Sequence, residues 1–263
     1  MRLEDVTFTQ VGGLKTACIT RAELVDVIAR RITAYRWRQR LADELAPMLI
    51  FDSNGQGISI ANSNPNFMAI LRQADLIHAD GQSVVNFSRL FADHEIPERS
   101  ATTDTIHDIP TFHHGPLRHF LLGGHKRVVE ECAKRLQTRY ANFCVAGTHD
   151  GYFSLKQEKQ VLAEINRVQP DVLWVGLGKP KEQAFCTRNK LWLHVPVIIT
   201  CGGCFNYVTG DYKRAPQVMQ QLGLEWLHRA LSEPRKLLWR YLTTSPHAIY
   251  CAYKHRIRRL AGE

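Results

Sequence analysis

The sequence predicts an α/β protein built on a mainly parallel sheet, with a basic helical appendage at its C-terminal end. Three observations carry this. An apolar strand, a glycine turn and a helix follow one another three times in the middle of the chain. The glycines fall at the carboxyl ends of those strands, where parallel sheets bind ligands. The last fifty residues leave this pattern and turn helical, basic and aromatic, broken by Pro216, Pro234 and Pro246. The chain therefore divides into a core over 1–211 and an appendage over 212–263.

In chain order, Lys15-Thr-Ala-Cys-Ile-Thr20 reads as a short strand. Thr20-Arg-Ala-Glu23 has capping-box spacing ahead of Leu24, Val27, Ile28 and Ile32, the apolar face of a helix. Pro47-Met-Leu-Ile-Phe51 is a buried strand ending at Asp52-Ser-Asn-Gly55, with a helix expected over 64–73. Asp75-Leu-Ile-His78 is a short strand ending at Ala79-Asp80-Gly81. Then come the three repeats: His119-Phe-Leu-Leu122 into Gly123-Gly124, Asp171-Val-Leu-Trp-Val175 into Gly176-Leu-Gly178, and Val197-Ile-Ile-Thr200 into Gly202-Gly203.

Composition narrows the class. With 263 residues, 44% hydrophobic and 22% charged, the chain has enough apolar material for a sizeable core. No run of 18 apolar residues exists, so a spanning helix is not expected. Met1-Arg-Leu-Glu-Asp-Val lacks the apolar core of an export signal, and seven scattered cysteines fit a reducing compartment. The net charge is +9, and ten Lys/Arg against three Glu between Tyr212 and Glu263 supply seven of those charges. Trp226, Trp239, Tyr241, Tyr250 and Tyr253 are interleaved among them, a mixture suited to an anionic lipid interface.

Glycines after a strand let the backbone approach a phosphate, and the next helix N-terminus favours its charge. One such turn only caps a strand; three in one sheet favour a nucleotide or sugar-nucleotide pocket. None has the dinucleotide or P-loop pattern, so NAD and ATP cradles lose support. Cys201-Gly-Gly-Cys204 lacks a second ligand pair at zinc spacing, and both thiols are assigned to packing. Asp80 stands at the ligand edge of the sheet, where a carboxylate serves equally as a general base or as a turn and helix cap.

Longer segments carry a family resemblance. Pro170-Asp-Val-Leu-Trp-Val-Gly-Leu-Gly-Lys-Pro-Lys-Glu-Gln183 resembles the PDxLxVGLGxPxQE signature of the WecG/TagA/CpsF bacterial glycosyltransferases, glycosyltransferase family 26. Gly147-Thr-His-Asp-Gly-Tyr-Phe153 is similar to the family's GxxxGYF element, and Gly202-Gly-Cys-Phe-Asn-Tyr-Val-Thr-Gly210 to its GGxFDxxAG element. Ala79-Asp-Gly81, Lys213-Arg-Ala-Pro216, Gly223-Leu-Glu-Trp-Leu-His-Arg229 and Glu233-Pro-Arg235 complete the pattern over roughly residues 45–242.

The resemblance implies a Rossmann-like core of the GT-E type with a membrane-associating appendage. It implies an inverting, metal-independent and cofactor-free transfer from a UDP-sugar to a polyprenyl-diphosphate-linked saccharide, on the cytoplasmic face of the plasma membrane. By position, Asp80 is the candidate base, Asn54 belongs to the preceding substrate loop, and Tyr152 packs on the uracil. Arg229, Lys236 and Arg240 reach the diphosphates. Gly123, Gly124, Gly176, Gly178, Lys181, Glu182, Gln183, Gly203 and Asn206 line the nucleotide-sugar side.

The sequence departs from the pattern at Glu182-Gln183, reversed from Q-E; at Asn206, where an acid is expected; and at Asp52, which opens the TxN loop. The expected donor is a glucose- or N-acetylmannosamine-type hexose used in exopolysaccharide or other surface polysaccharide assembly. A catalytically inactive nucleotide-sugar-binding homologue is one alternative, motivated by Asn206. A nucleic-acid-binding protein is another, motivated by a pI of 9.3, but no recognisable binding module supports it. The expected partners are the UDP-sugar, the lipid-linked acceptor and an anionic membrane surface, with no nucleic acid; the sequence is compatible with a homo-oligomer.

Overall fold

The computed structural model describes residues 1–40, 45–216, 218–219, 225–232 and 234–261. An antiparallel hairpin of β1 (Phe8–Val11) and β2 (Leu14–Ala17) precedes a six-stranded, wholly parallel sheet. The sheet's strands are β3 (Met48–Ser53), β4 (Leu76–Ala79), β5 (Leu117–Gly123), β6 (Phe143–His149), β7 (Val172–Gly176) and β8 (Val197–Thr200), in the spatial order β4-β3-β8-β7-β5-β6. Every residue of β3, β4, β7 and β8 is buried, as strands covered on both faces require. The expected α/β, Rossmann-like architecture is what the chain adopts.

One face of the sheet is covered by α2 (Gly55–Ser63), α3 (Pro65–Leu71), α4 (Gln82–Phe91), α7 (Leu155–Val168) and α8 (Lys181–Asn189). Ile58, Phe67, Val84, Ile165 and Phe185 pack there with Phe51 and Leu173. The other face is covered by α1 (Arg21–Arg40), α5 (Thr102–Phe112), α6 (Lys126–Arg139) and α9 (Cys204–Thr209). There Ile28, Ile109, Val129 and Phe205 meet Ile50, Trp174 and Ile199. Neighbouring strands β3 and β8 thus send their next helices, α2 and α9, to opposite faces. Such a switch opens a crevice at the carboxyl ends.

The capping box at Thr20 forms as expected: Thr20 N donates to Glu23 Oε2 at 2.8 Å, and Glu23 N to Thr20 Oγ1 at 3.2 Å. Beyond the sheet lie α10 (Glu225–Ser232) and α11 (Pro234–Leu260), and α11 buries Ala248, Cys251 and Ala252 against the α2 face. The expected break at Pro246 does not occur, and α11 runs through it. A proline costs the helix one N–H. The carbonyl it leaves without a helix donor is that of Leu242, four residues earlier; Thr243 Oγ1 and Thr244 Oγ1 donate instead to Trp239 O at 3.0 Å and Arg240 O at 2.7 Å.

Candidate active site

The crevice gathers the polar ends of four strands. Asn54 follows β3 and caps α2, its Oδ1 accepting from Gly57 N at 2.9 Å. Asp80 follows β4, and its N–H donates to Ser53 O at 2.9 Å, tying the two strand ends together. Thr102, at the start of α5, donates to Asp80 Oδ1 through its N–H (2.9 Å) and Oγ1 (3.3 Å). Asn54 Nδ2 reaches Asp80 Oδ2 at 3.2 Å and Asp52 Oδ2 at 3.4 Å. Asp80 thus caps the start of α5, one of the two local roles that the sequence left open for it.

Behind Asn54 lies a buried ion cluster. Lys179 Nζ pairs with Asp52, whose other oxygen accepts from Thr200 Oγ1 at 3.2 Å. Glu182, with no exposed surface, accepts from Gly178 N and Gly202 N, both at 3.0 Å, and from Gln183 Nε2 at 3.1 Å. It therefore clamps the loops after β7 and β8. Burial raises the Glu182 carboxyl to about 7, and Asp52 adds to the rise, while Lys179 and the two N–H donors act against it. Burial also opposes the Lys179 ammonium, but Asp52, Glu182 and Asp80 hold its pKa above the ordinary lysine value. For Asp80, burial is outweighed by Lys179, the Thr102 N–H and Asn54, which keep it below the usual carboxylate range. Asp80 is thus an anion at neutral pH, fixed in orientation.

Asn54 and Asp80 line a cavity of about 390 Å³ together with Arg99, Tyr207, Glu225 and Arg240. Arg99 Nη1 donates to Glu225 at 2.5 Å and Arg214 Nη1 to Asp104 at 2.5 Å, which fixes α10 against α5 as one wall. Arg240, from α11, has a buried Nε with no hydrogen-bond partner among the described residues. Three residues expected at the site, Asn54, Asp80 and Arg240, therefore meet around one space. Asp104 is held by Arg214, and Asp108 by Arg21 at 2.5 and 2.8 Å.

The other expected residues spread along the carboxyl ends of β5, β7 and β8. A Cβ on Gly123 (φ +142°) would stand 2.2 Å from Gly176 O, and one on Gly176 would stand 2.8 Å from Gly202 O. These glycines let three loops touch. Gly124 N donates to Gly176 O at 3.2 Å, whereas Gly178 faces open space. Tyr152 is 69% exposed; its ring stacks on His125 at 4.6 Å, and its hydroxyl lies 3.1 Å from His125 Nε2. Lys181 and Gly203 are exposed, Asn206 is half-buried at the start of α9, and Gln183 is buried with its Oε1 unpartnered among the described residues. Arg229 and Lys236 fall in α10 and α11, but their side chains lie outside the described residues. Cys201 and Cys204 are buried, and burial raises both thiols well above the usual range, as packing residues require.

Sequence reasoning passed over Lys179 as a site residue and noted Asp52, and Thr102 in Thr102-Thr-Asp104, only as departures from the family pattern. The available signal was the Asp52–Asn54 spacing, which places two polar side chains on one side of a strand end.

A fixed carboxylate at the ligand edge of a doubly wound sheet, under an arginine from an adjoining helix, fits a group-transfer enzyme with an anionic substrate. The chain belongs to the Glycosyl transferase WecG/TagA/CpsF family, whose pattern it matches over residues 9–262. It is 30% identical over 196 residues, 74% of either chain, to the N-acetylglucosaminyldiphosphoundecaprenol N-acetyl-beta-D-mannosaminyltransferase of Bacillus spizizenii. The chain is therefore a glycosyltransferase-family protein.

Proposed function

We propose that the protein moves a glucose- or N-acetylmannosamine-type hexose from a UDP-sugar to a polyprenyl-diphosphate-linked saccharide, with inversion, in surface polysaccharide assembly. The observation that carries this is the pairing of an ionised, oriented Asp80 with Arg240 across one cavity. Asp80 accepts the proton of the acceptor hydroxyl as that oxygen bonds to the sugar C1. The bond from C1 to the UDP oxygen breaks, its electron pair leaves on the diphosphate, and Arg240 compensates the charge that develops there. The loops joined by Gly123, Gly176 and Glu182, with Tyr152 beyond them, form the nucleotide side.

The proposal extends to peripheral attachment on the cytoplasmic membrane face. No helix among the described residues is long and apolar enough to cross a membrane. On α11, Trp239, Leu242, Ile249, Tyr253, Ile257 and Leu260 are exposed and recur at helical spacing, away from the buried Ala248, Cys251 and Ala252. An exposed apolar stripe beside the basic residues of α11 suits a helix lying in the lipid interface.

Asp80→Asn is the direct test. The amide keeps the Thr102 contact through its oxygen, so the fold and the UDP-dependent thermal shift should persist. Turnover with a lipid-linked acceptor should fall by about 10²–10⁴-fold. Wild-type turnover in the variant would reduce Asp80 to a loop cap. The donor is read from a thermal-shift panel of UDP-glucose, UDP-N-acetylmannosamine, UDP-glucuronate and GDP-mannose, since ligand at about 100 times its Kd stabilises by roughly 2.7 kcal/mol.

A further inference from the structure

A second cavity, of about 600 Å³, lies away from Asp80, beside the amino end of β4. Its walls come from three distant parts of the chain: the β1–β2 hairpin, the end of α3 with the loop before β4, and the last two turns of α11. The hairpin is pressed onto α11. Gly13, at φ +83°, leaves room for the His255 ring, which an added Cβ would approach to 2.7 Å. His255 Nε2 in turn lies 2.9 Å from Asn62 Oδ1 on α2.

The charges around this cavity do not cancel. Lys15 lies 4.3 Å from the centre of the Phe8 ring and has no acidic partner among the described residues. Arg72 and Arg258 line the cavity without a hydrogen bond or ion pair among the described residues. The acid on the cavity wall, Asp75, is already engaged, accepting from Lys190 at 2.8 Å and from Leu49 N at 2.7 Å. Arg259 is held by Asp93 at 2.9 Å. Three cations from three separate elements thus line a space whose one acid among the described residues, Asp75, is already taken up by Lys190 and Leu49 N. Burial lowers the His255 pKa, and Arg258, Lys254 and Arg72 lower it further, so the ring senses a local positive field.

We propose that this cavity is a phosphate-binding site in which Lys15, Arg72 and Arg258 hold the dianionic or monoanionic oxygens of a phosphate group. Arginine supplies paired N–H donors suited to that geometry, and lysine adds a point charge. The apolar floor, Leu14, Leu71 and Ile77, accommodates the carbon part of a phosphate ester. Two sources carry such a group, an anionic phospholipid headgroup and a soluble phosphate compound. The site stands on its own residues and does not depend on Asp80 chemistry.

The experiment follows the imidazole of His255 by NMR in the full-length protein, with inorganic phosphate and glycerol 3-phosphate as probes and sodium chloride at matched ionic strength as control. Phosphate bound beside the ring should raise the His255 pKa, and chloride should not match it. Arg72→Gln/Arg258→Gln should weaken phosphate affinity by about tenfold or more, with Lys15→Gln as an independent second variant. Both arginines are exposed, so neither change threatens folding. Vesicles of phosphatidylcholine with and without phosphatidylglycerol separate the sources. Loss of phosphatidylglycerol-dependent binding in the double variant assigns a headgroup, while intact vesicle binding with lost glycerol 3-phosphate binding assigns a soluble ester. An unmoved His255, a chloride effect equal to that of phosphate, or equal affinity in the variants would overturn the proposal.

Discussion

At the carboxyl ends of the strands, Asp52, Asp80 and Glu182 share the Lys179 ammonium and a set of neutral donors: Asn54, Thr102, Thr200 and two loop N–H groups. Beside the hairpin, Lys15, Arg72 and Arg258 line a larger space, and no acid among the described residues is paired with them. The difference follows from water. A buried charge left without a partner costs several kcal/mol, so the inner cluster is matched almost atom for atom. Cations at a wet rim repel one another only weakly, so they can stand unpaired and remain available to a ligand. The inner cluster builds a site; the outer one is itself the binding chemistry.

The sharpest way to break this comparison is to remove the shared ammonium. Lys179→Met strands Asp52 beside Glu182 in a dry environment, and urea unfolding should register a loss of about 3–5 kcal/mol. Adding Asp52→Asn removes the stranded charge and should restore most of the loss, a non-additivity that a double-mutant cycle measures. If Lys179→Met costs less than about 1 kcal/mol, the inner cluster is not held together by its charges.

Glu182 gives a pH-dependent version of the same test. Its folded pKa, about 7, lies above the ordinary carboxylate value. The protonated form is therefore favoured by folding, and the stability it contributes is fully present below about pH 4.5 and lost as pH rises through 7. Glu182→Gln removes the titration. The new amide oxygen can still accept from Gly178 N and Gly202 N, and its NH₂ can donate to the unpartnered Oε1 of Gln183 once that side chain turns over. The variant should match the wild type near pH 4.5 and exceed it at pH 8, by on the order of 1–3 kcal/mol. Equal pH–stability curves would show that Glu182 is ionised alike in the folded and unfolded chain.

How legible these features were depended on how much of each lay in contiguous residues. β3, β7 and β8 read directly, because buried parallel strands are short apolar runs closed by glycine or polar residues. β6 did not stand out: it is an edge strand, and only Phe143 of its seven residues is buried. α2 was hidden because Gly55-Gln-Gly57 reads as loop, and Asn54 starts the helix by capping it. α5, with four threonines and Pro110, lacks local helix propensity and is held by packing of Ile106 and Ile109. Within the site, Asp80 was legible from its place after a strand, and Arg240 from the family pattern. Lys179 was not, because its meaning comes from Asp52, 127 residues away in the chain. The hairpin cavity was least legible: Lys15, Arg72 and Arg258 belong to unrelated segments.

The smallest predicted effect has the opposite sign to the largest. Arg258 lines the hairpin cavity with Arg72 and with His255, one turn earlier on α11, and no acid partners it among the described residues. Arg258→Gln therefore removes repulsion rather than a pairing. In low salt and without phosphate it should stabilise the fold by a few tenths of a kcal/mol, the scale of exposed charge interactions. Raising ionic strength to about 0.5 M shortens the screening length to a few ångströms and should erase the difference. Adding inorganic phosphate should reverse it, because the wild type then gains a ligand that the variant holds poorly. Thermal melts in the three buffers check this ordering. A loss of stability in all three would place Arg258 among the structural pairings, alongside Lys179, and the contrast between the two clusters would fail.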